Sequence, residues 1–97
     1  MLFQRGRTDE AIEYLKLVVE INQQEPGCSR CAMHRDVDDP DVIVIVERWD
    51  SRDAYELHLE QPHIHDLAEN TAPLFAGLPR ISITEPMAVG NESLGAV

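Results

Sequence analysis

Apolar positions along the chain follow two different periods, and the switches between them divide it into elements. Ala11, Ile12, Leu15, Val18 and Val19 recur at i, i+3, i+4 and i+7, the stripe of a helix with one buried face. Thr8 is placed to cap it, Asp9 and Glu10 suit its positive end, and Pro26-Gly27 stops it, so the pattern predicts a first helix from Thr8 to about Gln24. Residues 28–35 carry no strong stripe and read as a strand, followed by an aspartate-rich turn at 36–41. Val42 to Val46 is a run of five β-branched residues, the signature of a strand covered on both faces. Asp50 or Ser51 then caps a short helix carrying Ala54, Tyr55, His58 and Leu59. Pro62 opens a second helix with Ile64, Leu67, Ala68, Thr71, Leu74 and Phe75 on one stripe, ended by Gly77. Ile81 and Ile83 alternate with Ser82 and Thr84, which predicts a half-buried last strand within Pro79–Pro86.

With Met1 to Arg5 as a stub of strand, the order is β-α-β-β-α-β. This is the ferredoxin-like α+β plan, an antiparallel sheet with its helices on one face and the first strand truncated. The other face of a sheet containing Val42–Val46 then needs a cover, and a second copy of the chain is the expected one. A single domain spans 1–97, with its core at about 8–86 and a loose tail at 87–97 that could dock on a neighbour.

Charge narrows the choice of partner. Eight basic and eighteen acidic side chains give a formal charge of −10, which repels nucleic acid and anionic membrane surfaces. No apolar run approaches a membrane span and no long apolar leader is present, so the expectation is a cytoplasmic protein without nucleic-acid or membrane partners. The cysteines, Cys28 and Cys31, are spaced C-x-x-C. On a regular strand residues three apart face opposite sides, so the spacing predicts two separate thiols rather than a redox or zinc centre. The aspartates at 36–41 lack the glycine and the distal glutamate of a calcium loop and read as a solvated turn.

Several residue groups together resemble the antibiotic-biosynthesis-monooxygenase-like domains of dimeric α/β-barrel fold. They are Glu25-Pro26-Gly27-Cys28, His34-Arg35-Asp36 with Asp39-Pro40, Glu47-Arg48-Trp49, and His58 followed by Pro62-His63. The resemblance runs from about Thr8 to Pro86 and implies a homodimer or higher homo-oligomer. It also implies a monooxygenase acting on a small phenol, quinol or polyketide-like aromatic without any cofactor. The chain departs from the family pattern in its short first strand, in Cys31 where Tyr is common, and in Val46 where an aromatic often stands. Haem-degrading relatives use side chains whose counterparts here are His58 and Ala68, which speaks against haem chemistry.

Within that frame His58 is the candidate catalytic base, since imidazole titrates near neutrality and the residue shares a helix face with Ala54 and Tyr55. Trp49, Glu47, His63 and His34 are the candidate substrate-binding residues, and no metal site is expected, because His63 and His65 lie two apart rather than at i, i+4. Each has a plainer structural role. His58 also reads as a core histidine bonded to Glu47 or to backbone, His63 as packing or capping at the helix bend, Trp49 as structural, Glu47 as the partner of an arginine, and His65 as a solvated side chain. The same fold also accommodates a non-catalytic ligand-binding or oligomerisation module, or an isomerase of a small metabolite.

Overall fold

The computed structural model describes residues 1–95 of the chain. Helix α1 (Thr8–Asn22) leads through the Pro26-Gly27 turn into strand β1 (Cys28–Arg35), which pairs antiparallel with β2 (Ile43–Trp49). Helices α2 (Arg52–Leu59) and α3 (Pro62–Thr71) follow, and a 3-10 turn over Ala72–Leu74 closes the helical part. Asp36 shapes the hairpin turn by accepting hydrogen bonds from the backbone N–H groups of Asp38 and Asp39 at 2.8 and 3.0 Å.

The N-terminal residues lie in the middle of the sheet. The Phe3 N–H donates to the Asp41 carbonyl and the Ile43 N–H to that of Met1, while on the other side the Ala76 N–H donates to Leu2. Isolated bridges Leu2–Val42 and Phe3–Phe75 therefore extend the hairpin, and the antiparallel order becomes the fourth, first, third and second segments of a ferredoxin-like fold. Phe3 stacks on Phe75 at 5.1 Å and joins Ala11, Leu15, Ile43 and Leu74 in the core. The core thus starts before residue 8, because Phe3 is the side chain that closes the sheet against α1.

Helices cover one face only. Ile43, Ile45, Glu47 and Trp49 point toward them, while Val44 and Val46 point away and stay 47% and 38% exposed. The run Val42–Val46 is thus buried on one side within a single chain, and its other apolar side is open.

Four local expectations need correction. Thr8 does not cap α1; it is the first helical residue, and its hydroxyl donates to Asp41 Oδ1 at 2.6 Å, tying the helix to the start of β2. Helix α3 ends at Thr71, ahead of Pro73 and not at Gly77, and Ala68 and Leu59 lie outside the buried stripes. No strand forms over Pro79–Pro86: Ile81 and Ile83 are 76% and 58% exposed, and the last sheet contact sits at Phe75. The alternation there is real, but no free edge of this chain's sheet accepts it. Residues 87–95 are exposed, and the final two residues of the expected tail lie outside the described part.

Candidate active site

The turn after α1 is pressed onto the start of α2. Gly27 has φ +82°, and a Cβ placed there would meet Ala54 Cβ at 2.6 Å. Ala54 and His58 are four residues apart on α2 and share a face, so the contact that seats Gly27 on Ala54 also presents Glu25 to His58. Ser51 fixes where α2 starts, its hydroxyl accepting the Ala54 N–H at 3.1 Å.

His58 is 5% exposed, and its Nδ1 lies 2.5 Å from Glu25 Oε2. An N–H on Nδ1 is the donor that satisfies the Glu25 carboxylate at that distance, and in that tautomer Nε2 carries the free lone pair. Nε2 faces Glu47, whose Oε1 is 3.9 Å away. Among the described residues Glu47 has no arginine partner; it accepts from Asn22 Nδ2 at 3.3 Å and lies 3.9 Å from the Cys31 thiol. His63 approaches from α3, with Nε2 2.7 Å from Asn22 Oδ1 and 3.3 Å from Glu25 Oε1. The Trp49 ring covers His58 at a centroid distance of 4.4 Å. Among the described residues the buried side-chain polar atoms without a hydrogen-bond partner are Glu25 Oε1 and Trp49 Nε1, and both belong to this cluster.

The cysteines are not on opposite faces. A bulge between Cys28 and Arg30 inserts an extra residue, so Cys28 pairs with Trp49 and Cys31 with Glu47, two residues that share the inner face. Both thiols therefore look toward the cluster. Burial, reinforced by Glu47, pushes the Cys31 thiol up to about 11, and burial with Glu47 and Glu25 also raises Cys28.

A cleft of about 870 Å³ lies next to the cluster, bounded by Glu47, Trp49, Arg52 and Tyr55 and roofed by Ile81 and Ile83. His58 lies behind Trp49 and does not line it; Glu47, at the cleft wall, is the side chain that connects the two. The structure thus brings His58, Glu47, Trp49 and His63 together but not His34. That residue is exposed on the outer sheet face opposite Val44 and borders a separate depression with Asp9 and Ile12. His65 is exposed. Sequence reading missed Glu25 and Asn22. Asn22 had a visible signal, since it continues the Leu15, Val18 stripe as a polar residue on a buried face; Glu25 sits in a turn, where periodicity says nothing.

An antiparallel sheet with helices on one face defines a small ferredoxin-like domain, here with a histidine–carboxylate pair beside an open cleft. The chain belongs to the antibiotic biosynthesis monooxygenase family, whose model matches residues 1–70. A solved structure from Chloroflexus aurantiacus J-10-fl, assigned by name as an antibiotic biosynthesis monooxygenase, is 31% identical. The likeness covers 94% of this chain and 90% of that one at a TM-score of 0.73. One from Bacteroides thetaiotaomicron with the same assignment is 26% identical over 95% of this chain and 88% of that one, at a TM-score of 0.78. Sll1783, an uncharacterised protein of Synechocystis sp. PCC 6803, is 26% identical over 77 residues, 79% of this chain and 52% of that protein. The chain therefore spans about half the length of that relative. No described helix is long and apolar enough to cross a membrane.

Proposed function

We propose that the chain is a monooxygenase for a small phenol, quinol or polyketide-like aromatic, working as a homodimer and without a cofactor of its own. The observation that carries this reading is the line Glu25–His58–Glu47, which runs from a buried carboxylate through an oriented imidazole to the wall of an open cleft. Glu47 takes the phenol proton and passes it to His58 Nε2, and Glu25 stabilises the imidazolium that results. The Glu47–His58 separation of 3.9 Å fits a relay that tightens when substrate binds. Trp49 supplies an aromatic wall to the cleft. The phenolate is then oxidised by dioxygen. The substrate gains one oxygen atom and gives up two hydrogens, and the second oxygen atom leaves as water.

An oxygen electrode tests this with a panel of quinols and anthrones in chelator-treated buffer. The expected result is oxygen consumption matched by product and lost in His58→Ala. Absence of uptake across the panel, or an active His58→Ala, removes the reading. A second reading, a non-catalytic ligand-binding module, is favoured by the burial of His58 behind Trp49. Ligand binding in the cleft without turnover distinguishes it.

A further inference from the structure

Glu25 is a buried carboxylate with one oxygen bonded to His58 and the other facing His63 without a hydrogen bond. The side chains of Glu25, His58 and His63 are 12%, 4% and 15% exposed, so water satisfies little of that charge. Their ligand atoms, one from each residue, all lie within 4.8 Å of one another. In a tetrahedral site with bonds of about 2.0–2.1 Å, donors stand roughly 3.3–3.5 Å apart. The His63 Nε2 to Glu25 Oε1 separation of 3.3 Å already matches. Asn22 Oδ1, 2.7 Å from His63 Nε2, is the neighbouring oxygen that can complete the set. Three elements contribute (the turn after α1, then α2 and α3), and no pair lies at the i, i+4 spacing on which a sequence motif would rest.

We propose that Glu25, His58 and His63 form a binding site for a borderline divalent first-row cation such as zinc or cobalt, and that the cation switches the site off. Two imidazoles and one carboxylate are a donor set for such ions rather than for calcium or magnesium, which take oxygen ligands. The switch follows from the tautomer. In the tautomer that donates to Glu25, the His58 proton is on Nδ1 and Nε2 is the free base. A cation bonded to Nδ1 takes that nitrogen's lone pair, moves the proton to Nε2 and leaves no lone pair facing Glu47. The cation site stands on geometry alone; only its inhibitory effect rests on the oxygenase reading.

The test uses the full chain after chelator dialysis. Zinc binding is followed by calorimetry and cobalt binding by its visible absorption, in wild type, His63→Ala, Glu25→Gln and, as a control, His65→Ala on the same helix. One zinc per chain is expected, unaffected by millimolar magnesium. Affinity falls about a hundredfold or more in His63→Ala, and His65→Ala binds as wild type does. His63→Ala and Glu25→Gln are each checked for native circular dichroism, so that one folded variant suffices. No zinc binding at micromolar concentration, or binding equally tight in a folded His63→Ala, overturns the proposal. If one zinc binds through His63 but no aromatic is oxidised, the cation site survives and the oxygenase reading falls. If turnover is present and zinc fails to suppress it, the switch is overturned.

Discussion

His58 Nδ1 stands 2.5 Å from Glu25 Oε2, although the two residues are 33 positions apart and reach each other only because Gly27 lets the turn lie on Ala54. A carboxylate at that position holds the proton on Nδ1. An amide offers either an oxygen or an N–H there, and the N–H reverses the tautomer. Glu25→Gln is therefore expected to lower turnover of the proposed reaction by about 10²–10⁴-fold. It should also cost roughly 1.5–3 kcal/mol of stability, as for a lost charge-assisted hydrogen bond. Steady-state kinetics and urea unfolding check the two effects separately. Unchanged turnover in Glu25→Gln would show that the carboxylate does not orient the base.

Gly27 and Gly6 both have positive φ, at +82° and +86°, but differ in surroundings. Alanine at Gly6 meets nothing within 4 Å and bears only the backbone penalty, about 1 kcal/mol. Alanine at Gly27 adds a collision with Ala54 Cβ at 2.6 Å and must push α2 away from the turn. Gly27→Ala is expected to cost at least about 1–3 kcal/mol more than Gly6→Ala by denaturant unfolding, within the usual range for overpacking. It should also weaken activity by moving His58 from Glu25. Equal costs for the two variants would mean that the turn and α2 are not held in contact.

Element order was legible because each helix has a stripe and a start or stop signal of its own. Of the candidate residues seen in the sequence, His58, Trp49, Glu47 and His63 are chemically distinctive side chains that the fold brings together, whereas His34 lies apart on the outer sheet face. What stayed hidden depends on contacts between elements. Glu25 acquires its role only when the turn packs on α2. The facing of Cys28 and Cys31 depends on a bulge, and a one-residue insertion reverses any inference drawn from strand alternation. The expected strand at Ile81–Ile83 shows the converse case. Alternation reports which side chains could share a face, not whether a sheet edge is available to pair.

The Cys31 thiol, raised by burial to about 11, gives the stability a definite pH dependence. Burial disfavours the thiolate, so the folded chain keeps this proton while the unfolded chain begins to lose it near pH 8.5–9. Between about pH 9 and 11 the folded state binds more protons, and stability falls as pH rises. A shift of about two units corresponds to roughly 2–3 kcal/mol across that window. Cys31→Ala removes this part of the loss, so unfolding free energies measured from pH 8 to 11 should decline less steeply in the variant. Parallel declines would mean that Cys31 ionises as freely in the folded chain as in the unfolded one.

Val44 and Val46 point away from the helices and, with Ala32 paired to Val46, give the outer sheet face an apolar strip. If two copies meet there about a two-fold axis, each valine is buried twice, so the pair contributes four buried side chains. Val44 and Val46 have only 47% and 38% of their surface left to bury, so at about 1.5 kcal/mol for a fully buried valine the four contribute roughly 2.5 kcal/mol, or about two decades in the dissociation constant. Lysine at either position also places like charges against each other across the axis. Val44→Lys with Val46→Lys is therefore expected to convert a dimer to a monomer at micromolar concentration by light scattering after gel filtration. Because neither side chain contributes to the core between sheet and helices, the monomer should keep its helical circular dichroism. A wild-type chain that elutes as a monomer, or a doubly substituted chain that remains a dimer, would move the interface away from this face.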